Sequence, residues 1–306
     1  MSKKLLFSII VILLITNLAT FIVWANDGNF LTDETKIIVN GEKKKIKIKD
    51  NVAVIGNEKV TYDEWVATLQ DNYGKRQLKQ LIDDKVVNQL AHKNNIVVED
   101  KIIEREIAYL TTLSGVMDEK EISKKESDWK RQITYRYQLQ ALLTMNHKIT
   151  EEESRTYYKK YAKQYDFKSS VQLSHIVVHN IETAEKIIKE LEEGASFALL
   201  AREYSIDESS KDIGGYLGFF TDESQFLPRS YFEKALKMEE HTYSDPFQTD
   251  QGIIILYLHR FLPDITFTYE EVAPYIQSEL ALEQSGQELD AASLWESFQI
   301  SWIYGK

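Results

Sequence analysis

A chain of 306 residues, 43 % hydrophobic and 28 % charged, is long enough to bury two or three domain cores and has an ordinary folded composition. Its formal charge of -11 argues against a nucleic-acid partner, because phosphate binding needs a basic surface. The lack of cysteine excludes disulfides, thiolate zinc sites, cysteine nucleophiles and a lipid anchor on an N-terminal cysteine.

The first segment carries an address. Lys3 and Lys4 precede an uncharged apolar run, Leu5 to Trp24. As a helix rising about 1.5 Å per residue, it is about 30 Å long and matches a bilayer core. Positive charge on the short side, with Asp27, Asp33 and Glu34 beyond, places the rest of the chain outside the cytoplasm. A cleaved signal peptide is the other reading, with Val23-Trp24-Ala25 as a poor cleavage site. Length favours an uncleaved anchor in the cytoplasmic membrane, and both readings export the bulk of the chain.

Residues 26–50 read as a polar tether holding one hairpin. Two β-prone runs flank Asn40-Gly41, a type I′ turn signal, and the lysines around Lys43–Lys45 read as protection of a solvated strand edge in preference to contact with anionic lipid near the anchor. From Val52 to Gln164 the pattern is almost entirely helical. Thr61-Tyr-Asp-Glu64 and Thr150-Glu-Glu-Glu153 have the form of capping boxes. Apolar stripes follow at helical spacing: Tyr62, Trp65, Leu69 and Tyr73; Ile82, Val86 and Leu90; Ile103, Ile107 and Leu110; Trp129, Ile133, Tyr137 and Ala141. These stripes are expected to form core. Gly74, Asn94-Asn95 and Gly115 punctuate them.

The stretch from Val171 to Arg260 has the size of one small domain, about 90 residues. It reads strand, helix, helix, Gly-rich loop, strand, helix, strand. VQLSHIVVH opens it as a β-branched strand centred on His175, and EKIIKELEEG is a helix closed by Gly194. SFALLAREYS is a second helix, and SIDESSKDIGGYLGFF leads through a tight turn at Gly214-Gly215 into a strand. FLPRSYF begins a third helix, and Gly252 starts a final apolar strand. His175 and His179 share a strand face but lie about 13 Å apart, too far for one metal ion. No dinucleotide fingerprint, G-x-S-x-G or H-E-x-x-H motif appears.

SHIVV, GASFALLAREYS, GGYLGFF and SDPFQTDQG, in that order, resemble the parvulin-type peptidyl-prolyl cis-trans isomerases. NVAVIGNEKVTYDEW and the helices after it resemble the N-terminal lobe of membrane-anchored extracytoplasmic parvulin foldases of the Gram-positive type. The resemblance spans about Asn51 to Tyr304. It implies an α+β fold: an antiparallel parvulin-like sheet with helices, inserted in an all-α chaperone lobe behind a single N-terminal transmembrane helix. The implied division is anchor 1–25, tether 26–50, lobe 51–168, isomerase domain 169–262 and returning lobe 263–306.

In the tail, Thr268-Tyr-Glu-Glu271 opens a helix with Val272, Tyr275, Ile276 and Leu280 on one face. FQISWIY at its end is expected to pair as a strand with the VAVIG run.

The activity so implied needs no cofactor or metal. A peptide bond resists rotation by about 18–20 kcal/mol, and an isomerase needs an apolar slot, excluded water and polar groups matched to the twisted amide. By the resemblance, His175, Asp207 and Thr249 are the catalytic positions, and Leu217, Phe226, Phe232 and Ile254 line the substrate slot. The implied partners are unfolded or newly secreted proteins with X-Pro bonds. One position departs from the family: a second histidine usual in the final strand is Ile254 here, which removes the usual partner of His175. The alternative is therefore a membrane-anchored chaperone whose parvulin-like domain binds proline segments and turns them over weakly.

Overall fold

The computed structural model describes residues 34–39, 41–225 and 227–305. The apolar run Leu5–Trp24, Asn40 and Phe226 lie outside the described residues. Among the described residues, no helix is long and apolar enough to cross a membrane. Contacts divide the described chain into two units: residues up to Ile82 with those from Trp302 onward, and Asp83–Ser301.

The first unit begins with two hairpins. Strands β1 (Glu34–Val39) and β2 (Glu42–Lys47) pair antiparallel with Val39 opposite Glu42, and Gly41 has φ +82°, as a tight hairpin turn requires. Strands β3 (Asn51–Ile55) and β4 (Glu58–Thr61) form the second, through a turn at Gly56, which has φ +61°. This hairpin corrects the all-helical reading of the stretch from Val52. VAVIG pairs with the run just after it, a short-range closure far less costly in entropy than pairing with FQISWIY some 240 residues on. Among the described residues, the tail forms only an isolated bridge between Trp302 and Gly305.

Thr61 caps α1 (Tyr62–Leu69), its side chain accepting the Glu64 amide. A π turn, Gln70–Gly74, carries the chain into α2 (Lys75–Lys93) without the break expected at Gly74. The stripe on α1 is not core: Trp65, Leu69 and Tyr73 are 42 %, 40 % and 53 % exposed. Helical spacing identifies a common face, and it does not say whether anything covers that face.

The second unit holds the helical core and the sheet. Helices α3 (Asp100–Thr112), α4 (Glu119–Thr144) and α5 (Glu151–Tyr161) precede the sheet. Reciprocal capping boxes at Asp118/Glu121 and Thr150/Glu153 set the starts of α4 and α5. Ile102, Ile103 and Ile133 pack with Phe267, Val272 and Ile276, so segments on both sides of the sheet in sequence share one apolar cluster.

Strand β5 (Ser170–Val178) is buried along its whole length. Helix α6 (Ile181–Glu192) follows, then α7 (Phe197–Tyr204), with Gly194 between them at φ +92°. After β6 (Tyr216–Phe220) come α8 (Arg229–Ala235), β7 (Thr242–Tyr243), β8 (Phe247–Thr249) and β9 (Gly252–Leu262). Helix α9 (Tyr269–Ser285) opens on a capping box at Thr268/Glu271. A 3-10 turn, Ala291–Ser297, then returns Trp295, whose indole donates to Asp83 of α2 at 2.7 Å.

The sheet is antiparallel in the order β6-β5-β9-β7, with β8 on the same edge of β9 as β7. Period-2 alternation divides its residues between two cores. Ile176, Val178, Ile253 and Ile255 face α6 and α7, while Leu173, Val177, Ile254, Leu256 and Leu258 face α8. His175 lies between Leu173 and Val177 in this alternation, on the α8 face.

The other face carries a half-buried titratable group. A bulge against β5 places His259 beside Ser174, with Nε2 2.8 Å from Oγ and the ring 4.8 Å from that of Tyr257. Burial, and then the nearby His241, push its pKa down to about 4. A cavity of about 700 Å³ adjoins it, lined also by Asp118, Glu119, His241 and Arg260, the last paired with Glu126.

Because unfolded His259 takes its proton near pH 6.5 and the folded one only near about 4, the unfolded state binds more protons between them. Stability should therefore fall as the pH drops through that window. Because solvent screens a half-buried ring, the loss from this residue is on the order of 1–2 kcal/mol. Urea unfolding of wild type and His259→Gln at about pH 7 and about pH 4.5 reads it as a shallower pH dependence in the variant. Equal dependence in both proteins would contradict it.

Candidate active site

Residues 205–210 bring a carboxylate to His175. Strand β6 leaves the edge of β5 at Ser174, and the His175 amide then bonds the Gly215 carbonyl at 2.8 Å. Beyond that point the loop after α7 takes over the vacated edge. The Ile206 amide donates to the Val177 carbonyl at 2.8 Å, and the Val177 amide donates to Ser205 Oγ at 3.2 Å. Asp207, the next residue, is thereby carried to the side chain of His175, with Oδ2 2.8 Å from Nε2. Gly214 and Gly215, at φ +75° and +77°, make the turn and admit this close approach of backbone to backbone.

Asp207 is a charged acceptor held by hydroxyl and amide donors. Ser210 Oγ donates to Oδ2 at 2.5 Å, while Ser209 donates to Oδ1 through its hydroxyl at 2.8 Å and its amide at 3.2 Å. Burial alone would raise its pKa, but bonds from Ser210, His175 and Ser209 outweigh that effect and hold the carboxyl well below the ordinary range. His175 is 3 % exposed, and burial lowers its pKa more than Asp207 raises it, so the imidazole is neutral at neutral pH. An ionised carboxylate can only accept, so the proton of the neutral ring sits on Nε2. The other ring nitrogen, Nδ1, is 2.9 Å from the hydroxyl of Tyr231.

Around this polar group lies an apolar cluster on the α8 face. Tyr231, Phe232 and Ala235 of α8 pack against Val177, Ile254 and Leu256, with half-buried Leu217, Phe220, Leu227 and Phe247 at the margin. The structure thus brings His175 and Asp207 into one hydrogen-bonded group beside Leu217 and Phe232. Ile254 is fully buried, paired with Val177 of β5 on one side and Phe247 of β8 on the other. Thr249 is not joined to the group. Its hydroxyl donates to the Gly252 carbonyl and accepts the Gln251 amide, both at 3.2 Å, within the β8–β9 turn.

Three residues of the network were not singled out from sequence: Ser209, Ser210 and Tyr231. The serines carry a local signal, since Asp followed two residues later by Ser forms side-chain-to-backbone turns. Tyr231 carries none, because its partner lies 56 residues away in the chain.

Residues 149–274 match the PPIC-type PPIase domain family. YacD of Bacillus subtilis (strain 168), provisionally named a peptidyl-prolyl cis-trans isomerase, is 34 % identical over 258 residues, covering 84 % of this chain and 86 % of that protein. The foldase protein PrsA of Geobacillus kaustophilus (strain HTA426) is 30 % identical over 201 residues, covering 65 % of this chain and 67 % of that protein. The crystal structure of PrsA from Bacillus subtilis aligns with 28 % identity over 82 % of this chain and 90 % of that one, at a TM-score of 0.28. With the family match over the residues that build the sheet and the His175–Asp207 group, and the sequence matches to YacD and PrsA, the chain belongs to the parvulin, PPIC-type peptidyl-prolyl cis-trans isomerases, the family of YacD and the PrsA foldases.

Proposed function

We propose that this isomerase turns over X-Pro bonds at the apolar slot beside His175 and Asp207. The observation that carries the reading is the neutral imidazole held at 2.8 Å from an ionised carboxylate at the edge of an apolar cluster. X-Pro isomerisation takes tens to hundreds of seconds unaided, slow enough to limit the folding of a client. Catalysis requires no bond to be made to the enzyme. Leu217 and Phe232, with Phe247 beside them, bind the proline ring and exclude water. The fixed dipoles of the His175–Asp207–Ser210 group then favour the twisted amide over either planar form. About 5.5 kcal/mol of such differential binding yields a 10⁴-fold acceleration. Thr249 acts indirectly, by holding the turn that starts β9.

The reading is tested by titrating the full chain with an Ala-Pro peptide while recording backbone amide shifts. The largest shifts are expected at Leu217, Phe232 and Phe247. Shifts confined to the helical core around Ile102 and Val272 would overturn it.

The setting proposed for this chemistry is outside the cytoplasmic membrane, with Leu5–Trp24 as the anchor and newly secreted proteins as clients. Residues 169–262 act as an isomerase domain inserted between 51–168 and 263–306, which form the client-holding lobe. The cluster shared by Ile103, Ile133, Val272 and Ile276 supports a lobe built from both sides of the insertion. Protease added to intact spheroplasts should digest residues 26–306. Full protection would contradict the topology.

A further inference from the structure

We infer that Tyr231 is the residue that positions His175, its hydroxyl donating to Nδ1 and so holding the imidazole as the Nε2–H tautomer aimed at Asp207. The inference rests on the reading of His175 and Asp207 as the reacting group. The final-strand position from which the family resemblance would supply a histidine partner for His175 is Ile254. The geometry supplies one from another element.

Tyr231 lies on α8, one residue before Phe232, and is only 1 % exposed. Its hydroxyl is 2.9 Å from Nδ1, and its ring meets the imidazole edge-on at 5.8 Å. The same ring also packs edge-on against Phe247 at 6.0 Å. One side chain therefore spans from the slot margin to the imidazole.

The direction of the bond follows from what surrounds the ring. Nε2 faces Asp207 Oδ2 and Ser210 Oγ. Ser210 spends its own proton on Asp207, so both atoms offer Nε2 a lone pair. With the ring proton on Nε2, Nδ1 is an acceptor, and the phenol is the group that donates to it. Burial and the Asp207 charge raise the Tyr231 pKa, so the phenol keeps its proton. Tautomer exchange would set Nδ1–H against Tyr231 and a bare nitrogen against the carboxylate, and a ring flip would set ring carbons against both. Each arrangement loses a buried hydrogen bond, so the phenol and the carboxylate together select one state. Among the described residues, no other side chain is bonded to Nδ1.

The test uses the full chain and Tyr231→Phe, which keeps the ring and removes only the hydroxyl. Wild type is expected to show His175 as a single Nε2–H tautomer in imidazole ¹⁵N spectra. The variant should show a mixed or exchanging ring, and kcat on a proline peptide should fall about tenfold with KM nearly unchanged. Thermal unfolding monitors the fold of the variant. An unchanged kcat with an unchanged spectrum would make Tyr231 a core residue only and overturn the inference. So would Nδ1–H in wild type, a result that needs no folded variant. His175→Ala running at the wild-type rate would instead overturn the site reading itself, and with it the catalytic role inferred for Tyr231.

Discussion

Replacing Gly215 with alanine is expected to destabilise the protein by about 3 kcal/mol or more and to abolish most isomerase activity. Two costs add. The residue has φ +77°, a left-handed conformation that costs a side-chain-bearing residue about 1–2 kcal/mol. A Cβ there would also overlap the backbone carbonyl oxygen of His175 and crowd Ala201 at 3.2 Å. Neither neighbour can swing away, because both belong to packed elements: one to the fully buried β5, the other to the core face of α7. Relief therefore requires the turn to move, and the turn holds the Ser210 carbonyl through the Gly215 amide at 2.9 Å. Ser210 would carry Asp207 with it.

Gly218→Ala is the control, since Gly218 also has positive φ, +97°, but nothing within 4 Å of the added carbon. It should lose only the conformational part. Equal losses in the two variants, measured by urea unfolding, would contradict a steric role for Gly215.

The second large effect is expected at Phe232. Deleting a buried aromatic ring typically costs about 3–5 kcal/mol, and Phe232 is 8 % exposed among Ile254, Tyr231 and Leu217. On the proposed reading the variant also loses contacts to the proline ring and admits water, so kcat/KM should fall by more than about tenfold, or about 1.4 kcal/mol.

Ile254→His should change activity by less than that, although it places a histidine in the final strand. Its imidazole would enter a fully buried apolar position in β9, and Nδ1 of His175 is already bonded to Tyr231. An unpartnered polar group buried there costs about 1–3 kcal/mol of stability and brings no gain in the site. Activity assays on both variants, with thermal unfolding to confirm folding, decide the comparison. A larger activity change in Ile254→His than in Phe232→Ala would show that a final-strand imidazole matters more than the slot.

The parts of this fold visible in the sequence are those whose cause is local. The strand around His175, the helix stopped by Gly194 and the strand begun by Gly252 follow from alternation and from glycine at positive φ. The caps at Thr150 and Thr268 follow from a four-residue pattern, which also occurs at Asp118 and was there to be read. The β3–β4 hairpin is less legible, because the apolar VAVIG run suits a distant strand such as FQISWIY as well as Glu58–Thr61, its actual partner three residues on. The exposed Trp65–Leu69–Tyr73 face shows a different limit, since periodicity fixes a face but not its covering.

In the candidate site, His175, Asp207, Leu217 and Phe232 are legible through the ordered motifs of the family resemblance. Tyr231 is not, because a hydrogen bond between α8 and β5 leaves no trace in either segment alone. Thr249 is legible too, but its bonds stay inside its own turn.

The most direct test of the account is the rate of cis–trans exchange in a proline peptide, measured with the full chain and with His175→Ala and Asp207→Ala. Wild type is expected to accelerate exchange. Each variant should lose at least about tenfold of that rate while retaining cooperative thermal unfolding. Wild type that leaves the peptide rate unchanged yet suppresses aggregation of an unfolded client would contradict the account, as would folded variants that match the wild-type rate.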